Sequence, residues 1–318
     1  MELKRKRVLV TGGAGFIGSN LVDRIIREKP AKIIVVDNFF LGSQENLASA
    51  RAALPDLVIE RMDASDLASM HGLVEAECID VVFNLAVVPL PASLKYPAWT
   101  FSTNVGIAVT FCELARLGSI KTLVHCSSSE AYGSAERIPM DETHPLIATT
   151  PYAASKAAGD QVVLSYIRTF NIDAVIVRPF NNFGPRQNAG SYAGIIPIVV
   201  QGVKSGREIE IHGDGEQTRD YIYVGVTADA FVQAYEHEAT RGKVINIATG
   251  HEISINQLVQ RLLNALGQPN YPVVHTAPRI GDVRRHRGGV ELAHRLFGFE
   301  PSAITDQQIQ ETVDWYLV

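Results

Sequence analysis

The sequence is short of cysteine and of long apolar runs, and these shortages argue against several classes of protein. Its three cysteines, Cys78, Cys112 and Cys126, are odd in number and widely spaced. They predict buried free thiols in a reducing compartment and argue against a disulfide framework. No apolar run reaches the length of a membrane span or of a signal-peptide core. We therefore expect a soluble, cytoplasmic protein with no membrane partner.

The sequence also lacks the positive charge that proteins use to bind nucleic acids or anionic membranes. It has 29 Lys and Arg against 34 Asp and Glu, which gives a formal net charge of −5 and predicts no nucleic-acid partner. An anionic ligand must then be held by local groups, and no metal site is expected. With 318 residues and a hydrophobic fraction of 46%, the chain can form one large α/β domain or two linked lobes.

Short apolar runs rich in valine and isoleucine alternate with amphipathic stretches through the first half of the chain. The runs are residues 8–10, 33–36, 57–59, 81–85, 123–125 and 174–177. Several are apolar throughout, as strands buried on both faces are. The stretches between them, such as 20–28 and 105–117, have helical periodicity. Repeated strand–helix–strand units predict an α/β fold built on a parallel, doubly wound sheet with right-handed crossovers.

The pattern changes after Arg178, where segments rich in proline and glycine begin. One more apolar run, 244–248, is predicted to return to the sheet. A helix follows it, with Ser254 as N-cap, Gln257 completing a capping box, and Gly267 ending the helix. We expect residues 1–180, with 225–248 returning to them, to form a large domain. Residues 181–224 and 249–318 are expected to form a smaller lobe.

A glycine-rich turn, TGGAGFIG, links the first predicted strand to a helix. Gly12 permits a tight turn, Gly15 lets a pyrophosphate approach the backbone, and Gly18 lets the helix lie close to the sheet. Asp37 ends the second predicted strand, 19 residues beyond Gly18. A carboxylate there accepts hydrogen bonds from an adenosine ribose and repels a 2′-phosphate. The pattern predicts NAD as the cofactor, in preference to NADP.

Tyr152 and Lys156 lie four residues apart at the start of another predicted helix, after the N-cap Thr150. At this spacing the two side chains are adjacent on one helical face. A nearby ammonium group, and the positive nicotinamide ring beyond it, would lower the pKa of the phenol from its usual value of about 10. This predicts a general base that takes a proton from a hydroxyl group during oxidation. The alternative is a tyrosine and a lysine on a polar, exposed helix face.

A hydroxyl-rich segment, HCSSSEAYG, contains the end of the strand predicted at 123–125. Ser128, Ser129 and Glu130 are therefore expected at the carboxyl end of the sheet, where folds of this type bind ligands. The alternative is a polar loop in which the serines cap backbone groups.

These motifs occur together in the order of a known family. TGGAGFIG, the NLA at 84–86, the serine run, YxxxK, RPFNNFGPRQ and GDGEQTRDYIYV resemble the extended short-chain dehydrogenase/reductase family. More narrowly, they resemble its nucleotide-sugar epimerases, dehydratases and decarboxylases. The resemblance covers nearly the whole chain. It implies a Rossmann-type domain with bound NAD and a smaller C-terminal lobe that binds a nucleoside-diphosphate sugar. It also implies a homodimer formed by two helices, one near 105–117 and one after Tyr152.

The resemblance further implies roles for individual residues. Ser128 would share the C4 oxygen of the sugar with Tyr152, and Lys156 would hold the nicotinamide ribose. The implied contacts with the substrate diphosphate are Asn181, Arg219 and Arg284, and the implied cofactor contacts are Gly12, Gly15, Phe16, Ile17, Gly18, Asp37, Asn38, Asp63, Ala64, Leu85, Ala86, Asn104, Tyr152, Lys156 and Phe180.

The chemistry that follows oxidation at C4 is left open by the residues. A 4-epimerase needs no further acid or base, whereas a 4,6-dehydratase needs a base for the C5 proton and an acid for the C6 hydroxyl. Family dehydratases often have an Asp-Glu pair after the catalytic hydroxyl, and here the pair is Ser129-Glu130, which supplies the base alone.

The NNFGPRQ segment also resembles dehydratases. We therefore expect a 4,6-dehydratase, with a 4-epimerase and a sugar-acid decarboxylase as alternatives. A non-catalytic NAD-binding regulator is the alternative outside the enzymes, but such proteins typically lose the Tyr or the Lys that this chain keeps.

Overall fold

A parallel seven-stranded sheet runs through the protein in the order β3-β2-β1-β4-β5-β6-β11. The computed structural model describes residues 1–190, 193–278 and 283–317. The strands of the sheet are β1 (Arg7–Thr11), β2 (Lys32–Asp37), β3 (Val58–Arg61), β4 (Val81–Asn84), β5 (Thr122–Cys126), β6 (Ala174–Pro179) and β11 (Val244–Ile247). Each apolar run of the first half coincides with one of these strands to within one residue at its predicted ends or extends into a longer strand, with Leu57 just before β3 and Leu85 just after β4. The run at 244–248 returns to the sheet beside β6, as predicted.

Six further strands form three short pairs outside this sheet, β7 with β10, β8 with β13 and β9 with β12. Their bounds are β7 (Asn181–Phe183), β8 (Ile209–His212), β9 (Thr218–Arg219), β10 (Tyr221–Tyr223), β12 (Ile253–Ser254) and β13 (Val273–Thr276). The described α-helices are α1 (Phe16–Ile26), α2 (Ala48–Ala53), α3 (Leu67–Ala76), α4 (Leu90–Lys95), α5 (Pro97–Arg116), α6 (Pro151–Phe170), α7 (Ile195–Lys204), α8 (Val224–Glu236), α9 (Ile255–Ala265), α10 (Glu291–Phe297) and α11 (Asp306–Leu317).

Two helix starts show how local sequence sets the element bounds. Thr150 accepts a hydrogen bond from the Ala153 amide at 3.2 Å and begins α6. Ser254 and Gln257 form a reciprocal capping box at the start of α9, which satisfies two backbone N–H groups that the helix leaves unpaired. Both caps are confirmed.

The sheet is covered on both faces, because successive strand residues point to opposite sides. Val8 and Val10 of β1 pack on one face with Phe231 of α8. Leu9, between them, packs on the other face with Phe111 of α5. Each such side chain contributes about 1.5–3 kcal/mol when it is fully buried. The doubly wound α/β arrangement predicted from the sequence is confirmed.

A third apolar cluster lies outside the sheet and includes Phe183, Leu258 and Val313. It joins α7, α9 and α11 and is the core of a smaller C-terminal part. Helix α10 differs, because its Ala293 packs with the core of the large sheet, although the predicted domain boundary puts it in the small lobe. The division into two lobes stays a prediction.

A buried carboxylate ties three distant segments of the chain together. Asp220 accepts hydrogen bonds from the Thr249 amide at 2.8 Å, the Thr249 hydroxyl at 2.6 Å, the Gly250 amide at 2.9 Å and the Gly288 amide at 3.1 Å. Four donors on one carboxylate offset much of the cost of burying its charge. Asp220 therefore fixes how the segments that follow β11 meet the segment before β10.

The prediction of buried free thiols is confirmed for two of the three cysteines. Cys112 and Cys126 are free and buried, but Cys78 is free and exposed, because it lies in the turn that follows α3. Within the described ranges, no helix combines the length and the apolar character that crossing a membrane requires.

Candidate active site

A cleft of about 370 Å³ lies at the carboxyl ends of six sheet strands. Its wall takes residues from the segments that follow β1, β2, β3, β4, β5 and β6, and includes Asn182, Arg186, Gln187, Asn188 and Gly194. In open parallel sheets this edge is where ligands bind, since the loops there diverge at the point where the strand order reverses.

The glycines of the first loop are required by close backbone contacts. Gly12 has a φ of +64°, and a Cβ there would lie 2.8 Å from the carbonyl of Leu85. A Cβ on Gly18 would lie 2.1 Å from the Gly12 carbonyl oxygen. Helix α1 begins at Phe16, so its first N–H groups have no partners within the helix. Gly15 and Phe16 line the cleft, which suits a diphosphate approaching the helix N-terminus.

Asp37 is held at the cleft by the backbone around it. One carboxylate oxygen accepts a hydrogen bond from the Ala14 amide at 3.0 Å, and the other accepts one from the Phe39 amide at 2.8 Å. Burial raises the pKa of Asp37, and these amides oppose the shift. Each carboxylate oxygen keeps a further lone pair for a ribose hydroxyl.

The first prediction concerns the choice between NAD and NADP. Asp37→Asn keeps one acceptor oxygen for the loop amides and removes the charge that repels a 2′-phosphate. We expect the ratio of the NADP Kd to the NAD Kd to fall by about tenfold or more. Titration of both cofactors against the wild type and the variant measures it. A wild type that binds NAD and NADP equally well would contradict this role.

Most of the predicted cofactor residues lie at the cleft. Phe16, Ile17, Asn38, Asp63, Ala64, Leu85, Ala86 and Phe180 all line it, together with the three glycines and Asp37. Asn104 is not among the described residues of the cleft wall. Its side chain accepts a hydrogen bond from the Val88 amide at 2.8 Å and donates to the Val88 carbonyl at 3.1 Å. Asn104 therefore positions Val88, which does line the cleft.

Ser128, Tyr152 and Lys156 come together on the cleft wall. Tyr152 lies in the first turn of α6, and its hydroxyl is hydrogen-bonded with that of Ser128. Lys156 lies one turn further along, and its Nζ donates to the Cys126 carbonyl at 2.8 Å. The end of β5 and the start of α6 thus bring together a hydroxyl, a phenol and an ammonium group.

The pKa of the phenol differs from the prediction. The sequence predicts a lowered pKa, but burial raises the pKa of Tyr152, and the charge of Glu130 adds to the shift. Burial also lowers the pKa of Lys156. The loss of water around the phenol outweighs the hydrogen bond from Ser128 that favours the phenolate, and the ammonium group of Lys156 is directed to a backbone carbonyl.

Ser129 and Glu130 lie in the short 3-10 helix Ser129–Tyr132, directly after Ser128. The Ser128 hydroxyl accepts a hydrogen bond from the Glu130 amide at 3.2 Å. Ser129 is buried, and its carbonyl accepts a hydrogen bond from the His286 ring. Neither residue is among the described residues of the cleft wall. The carboxylate of Glu130 is nevertheless close enough to Tyr152 to raise its pKa.

The three predicted substrate residues lie off the wall of the main cleft. Asn181 approaches His286 at 3.4 Å, and the charge of Arg219 helps to lower the pKa of His286 to about 4. Arg284 is exposed and pairs with Asp214 at 2.7 Å, beside a second cavity of about 410 Å³. None of the three is among the described residues that line the main cleft.

Two groups of residues at the site were missed by the sequence analysis. Ser127 lines the cleft and donates a hydrogen bond to Asp160 at 2.8 Å, and Asp160 forms a buried ion pair with Arg178. Asn182, Arg186, Gln187 and Asn188 also line the cleft. The motif RPFNNFGPRQ contains most of this second group. In the sequence it indicates only a resemblance to the family and no binding role for these side chains.

Comparison with known proteins decides the family. Residues 8–248 match the model of the NAD dependent epimerase/dehydratase family. The chain belongs to this family. A UDP-glucose 4-epimerase of Mycolicibacterium smegmatis is 35% identical over 312 residues, which cover 98% of each chain.

Two solved structures from the family are similar over nearly their whole length. A UDP-glucose 4-epimerase of Thermotoga maritima, solved with UDP-glucose, has a TM-score of 0.90 and 30% identity, with 98% of each chain covered. A dTDP-glucose 4,6-dehydratase of Streptomyces venezuelae, solved with NAD bound, also has a TM-score of 0.90 and 30% identity, covering 98% of this chain and 97% of that one.

Membership of the NAD-dependent epimerase/dehydratase family confirms the predicted resemblance and NAD as the cofactor. The residues at the cleft fit this cofactor. The positions of Gly12 and Gly18 leave no room for a Cβ, and a buried carboxylate lies at the end of β2. Gly12, Gly15, Asp37, Tyr152 and Lys156 are the groups that would hold it.

Proposed function

We propose that this family member is a 4,6-dehydratase of a nucleoside-diphosphate hexose that oxidises its substrate at C4. The observation that carries the proposal is the proximity of a second base to the Ser128–Tyr152–Lys156 group. The charge of Glu130 helps to raise the pKa of Tyr152, so the two side chains are neighbours. Glu130 is not among the described residues of the cleft wall, and our proposal is that its carboxylate reaches C5 of a bound sugar. Two bases at adjacent carbons are what an elimination next to a new ketone requires.

In the first step Tyr152 takes the proton of the C4 hydroxyl, and Ser128 donates a hydrogen bond to the same oxygen. NAD, when bound, supplies the oxidant that accepts the C4 hydrogen with its electron pair. Burial raises the pKa of Tyr152 in the protein without its cofactor, so the phenol is protonated there, and the positive nicotinamide ring of bound NAD would favour the phenolate that takes this proton. Lys156 provides the one ammonium group described on this part of the cleft wall, and it favours the phenolate by its charge.

In the second step the C4 ketone acidifies the proton on C5. Glu130 takes that proton, a double bond forms between C5 and C6, and the C6 hydroxyl gains a proton and leaves as water. The hydride taken from C4 would then return to C6, while C5 receives a proton that exchanges with solvent. This gives a 4-keto-6-deoxy sugar and leaves the cofactor oxidised as at the start. Ser129 stands where many family dehydratases have the acid. Because Ser129 is buried, the proton for the leaving hydroxyl is expected to come from Glu130 itself or through a water molecule.

A 4-epimerase is the second candidate. It needs only Ser128, Tyr152 and Lys156, all of which line the cleft, whereas Ser129 carries no acid. The relatives from Mycolicibacterium smegmatis and Thermotoga maritima are named as UDP-glucose 4-epimerases. In this reaction the C4 hydrogen returns to the other face of the sugar ring and no C5 proton moves.

Substrate, assembly and location are part of the same proposal. Asn181, Arg219 and Arg284 are proposed to contact the substrate diphosphate, since Asn181 and Arg219 both lie next to His286. A homodimer through α5 and α6 is supported by the exposed apolar side chains of Phe101, Val109 and Phe170. The cytoplasmic location stays a prediction from composition.

The second prediction tests the reaction type through Glu130. Glu130→Gln keeps the size of the side chain and removes the base, so a dehydratase should lose elimination by about tenfold or more while oxidation at C4 persists. The reduced cofactor should then accumulate, visible by its absorbance. Mass spectrometry of the products from a panel of nucleotide sugars measures loss of water directly, and solvent deuterium at C5 provides an independent record.

Glu238→Gln is the matched control, because Glu238 is an exposed carboxylate that is not among the described residues of either cavity wall. It should leave turnover unchanged. A wild-type product equal in mass to its substrate and free of deuterium would rule out the dehydratase and support the 4-epimerase. Loss of carbon dioxide would instead identify a decarboxylase.

A further inference from the structure

The segment Asn182–Asn188 has an unusual set of buried polar atoms. Asn182 Oδ1, Arg186 Nη1, Gln187 Oε1 and Asn188 Nδ2 are all buried and have no hydrogen-bond partner among the residues that the structure describes. All four side chains belong to residues that line the main cleft. Buried polar groups are nearly always paired, so a cluster of unpaired ones in a binding cleft points to a ligand.

Arg186 is the most constrained of the four. Its side chain is only 10% exposed, its Nη2 pairs with Asp23 of α1 at 2.6 Å, and its guanidinium lies 5.9 Å from the ring centre of Trp315. One side of the guanidinium is therefore fixed by a carboxylate. The other nitrogen, Nη1, has no partner in the described part of the chain.

The segment is also attached to the dinucleotide helix itself. Asn20 of α1 donates a hydrogen bond to the Pro185 carbonyl at 3.3 Å, and Asp23, one turn further along, binds Arg186. The chain around Arg186 thus lies along α1, next to the helix N-terminus formed by Gly15 and Phe16.

We propose that Arg186 and its neighbours form a second wall of the dinucleotide site and bind the diphosphate of NAD from the side opposite the glycine loop. A helix N-terminus and a guanidinium on two sides of one cleft are complementary to a doubly charged diphosphate. The unpaired donors Arg186 Nη1 and Asn188 Nδ2 match phosphate oxygens. The unpaired acceptors Asn182 Oδ1 and Gln187 Oε1 match the hydroxyls of the two flanking riboses.

The position of the segment favours the cofactor diphosphate over that of the substrate. Arg186 is paired to α1, whereas Asn181 and Arg219, the proposed substrate contacts, lie next to His286. The inference does not depend on whether the enzyme eliminates or epimerises. It predicts that a part of the chain beyond the first six strands controls how tightly NAD is held.

The test is calorimetric titration of the full chain, freed of copurified nucleotide, with NAD, adenosine and UDP. Arg186→Gln removes the charge and should weaken NAD binding by about 10- to 100-fold, because a charge-assisted contact is lost. Adenosine has no diphosphate, and its affinity should stay within about twofold. UDP reports on the substrate site, and its affinity should also be unchanged. Thermal unfolding of each variant checks that it is folded.

The Asp23→Asn variant tests whether Arg186 binds the ligand or only holds its own segment against α1. It removes the charge of the partner on α1 but keeps an amide oxygen that can still accept from Arg186 Nη2, and it leaves the guanidinium charge in the cleft, so NAD affinity should stay within about threefold of wild type. If Arg186 only braced the segment, Asp23→Asn and Arg186→Gln would weaken NAD equally, and that result overturns the proposal. Unchanged NAD affinity in a folded Arg186→Gln, or a loss confined to UDP, overturns it as well.

Arg186→Lys keeps the inference testable if the glutamine variant does not fold. Lysine retains the charge but loses the fixed fork that lets Arg186 pair with Asp23 and donate from Nη1 at once. We expect an NAD affinity about 3- to 10-fold below wild type, restored in part by low ionic strength. Wild-type affinity in Arg186→Lys, with no dependence on salt, would show that Nη1 has no ligand.

Discussion

Replacing Tyr152 by phenylalanine should lower turnover by between about 10² and 10⁴, the contribution of one well-placed general base. The change removes the phenolic oxygen that is hydrogen-bonded with Ser128 and leaves the ring in its buried position. Binding of the nucleotide sugar should survive, because the proposed contacts of its diphosphate, Asn181, Arg219 and Arg284, are other residues. Steady-state kinetics on the substrate found by the product panel should show a fall in kcat with KM nearly unchanged.

Tyr166→Phe is the matched control for this experiment. Tyr166 lies on the same helix, α6, and its hydroxyl donates to Glu113 at 2.5 Å, away from the cleft. The same loss of one oxygen should leave kcat within about twofold of wild type. Near-normal turnover in Tyr152→Phe would show that Tyr152 is not the general base of the reaction.

Asp160→Asn should destabilise the protein by about 3–5 kcal/mol, because it leaves Arg178 charged and buried without its partner. Asp160 is fully buried, accepts a hydrogen bond from Ser127, and pairs with Arg178. Arg178 also lies 4.4 Å from the centre of the Tyr132 ring, so its position cannot relax toward solvent. The free energy of unfolding, from urea denaturation at neutral pH, measures the loss.

Asp229→Asn is the control for the loss of an aspartate charge. Asp229 pairs with Arg24 on the surface and its side chain is about half exposed, so its removal should cost about 1 kcal/mol or less. Equal unfolding free energies for Asp160→Asn and wild type would mean that the Arg178 charge is compensated by Tyr132 alone.

The large sheet could be predicted because its signals are local. Each strand of the first half is a short apolar run, and each helix cap that was predicted, at Thr150 and Ser254, is formed by side chains within three residues. The three short strand pairs could not be predicted. They contain two to four residues per strand, and their pairing is set by contacts between distant segments.

In the candidate site, too, features set by neighbouring residues could be predicted and features set by distant contacts could not. Spacing alone brings Tyr152 next to Lys156, and the strand end places Ser128 near both. The direction of the Tyr152 pKa shift was wrong, because burial is a property of the assembled fold and is not visible in a four-residue spacing. Arg186 was missed for a related reason. Its significance lies in a nitrogen left without a partner after Asp23 has taken the other one.

The tie made by Asp220 has a consequence for how the protein is made on the ribosome. The strands β1 to β6 are complete by residue 179, so the sheet edge that holds NAD can assemble early in translation. Gly288, whose amide donates to Asp220, is 68 residues further along the chain. At common rates of synthesis it is added roughly 3 to 14 s after Asp220. We expect the cofactor half of the cleft to form on the nascent chain, and the substrate half to become fixed only after Gly288 has left the ribosome.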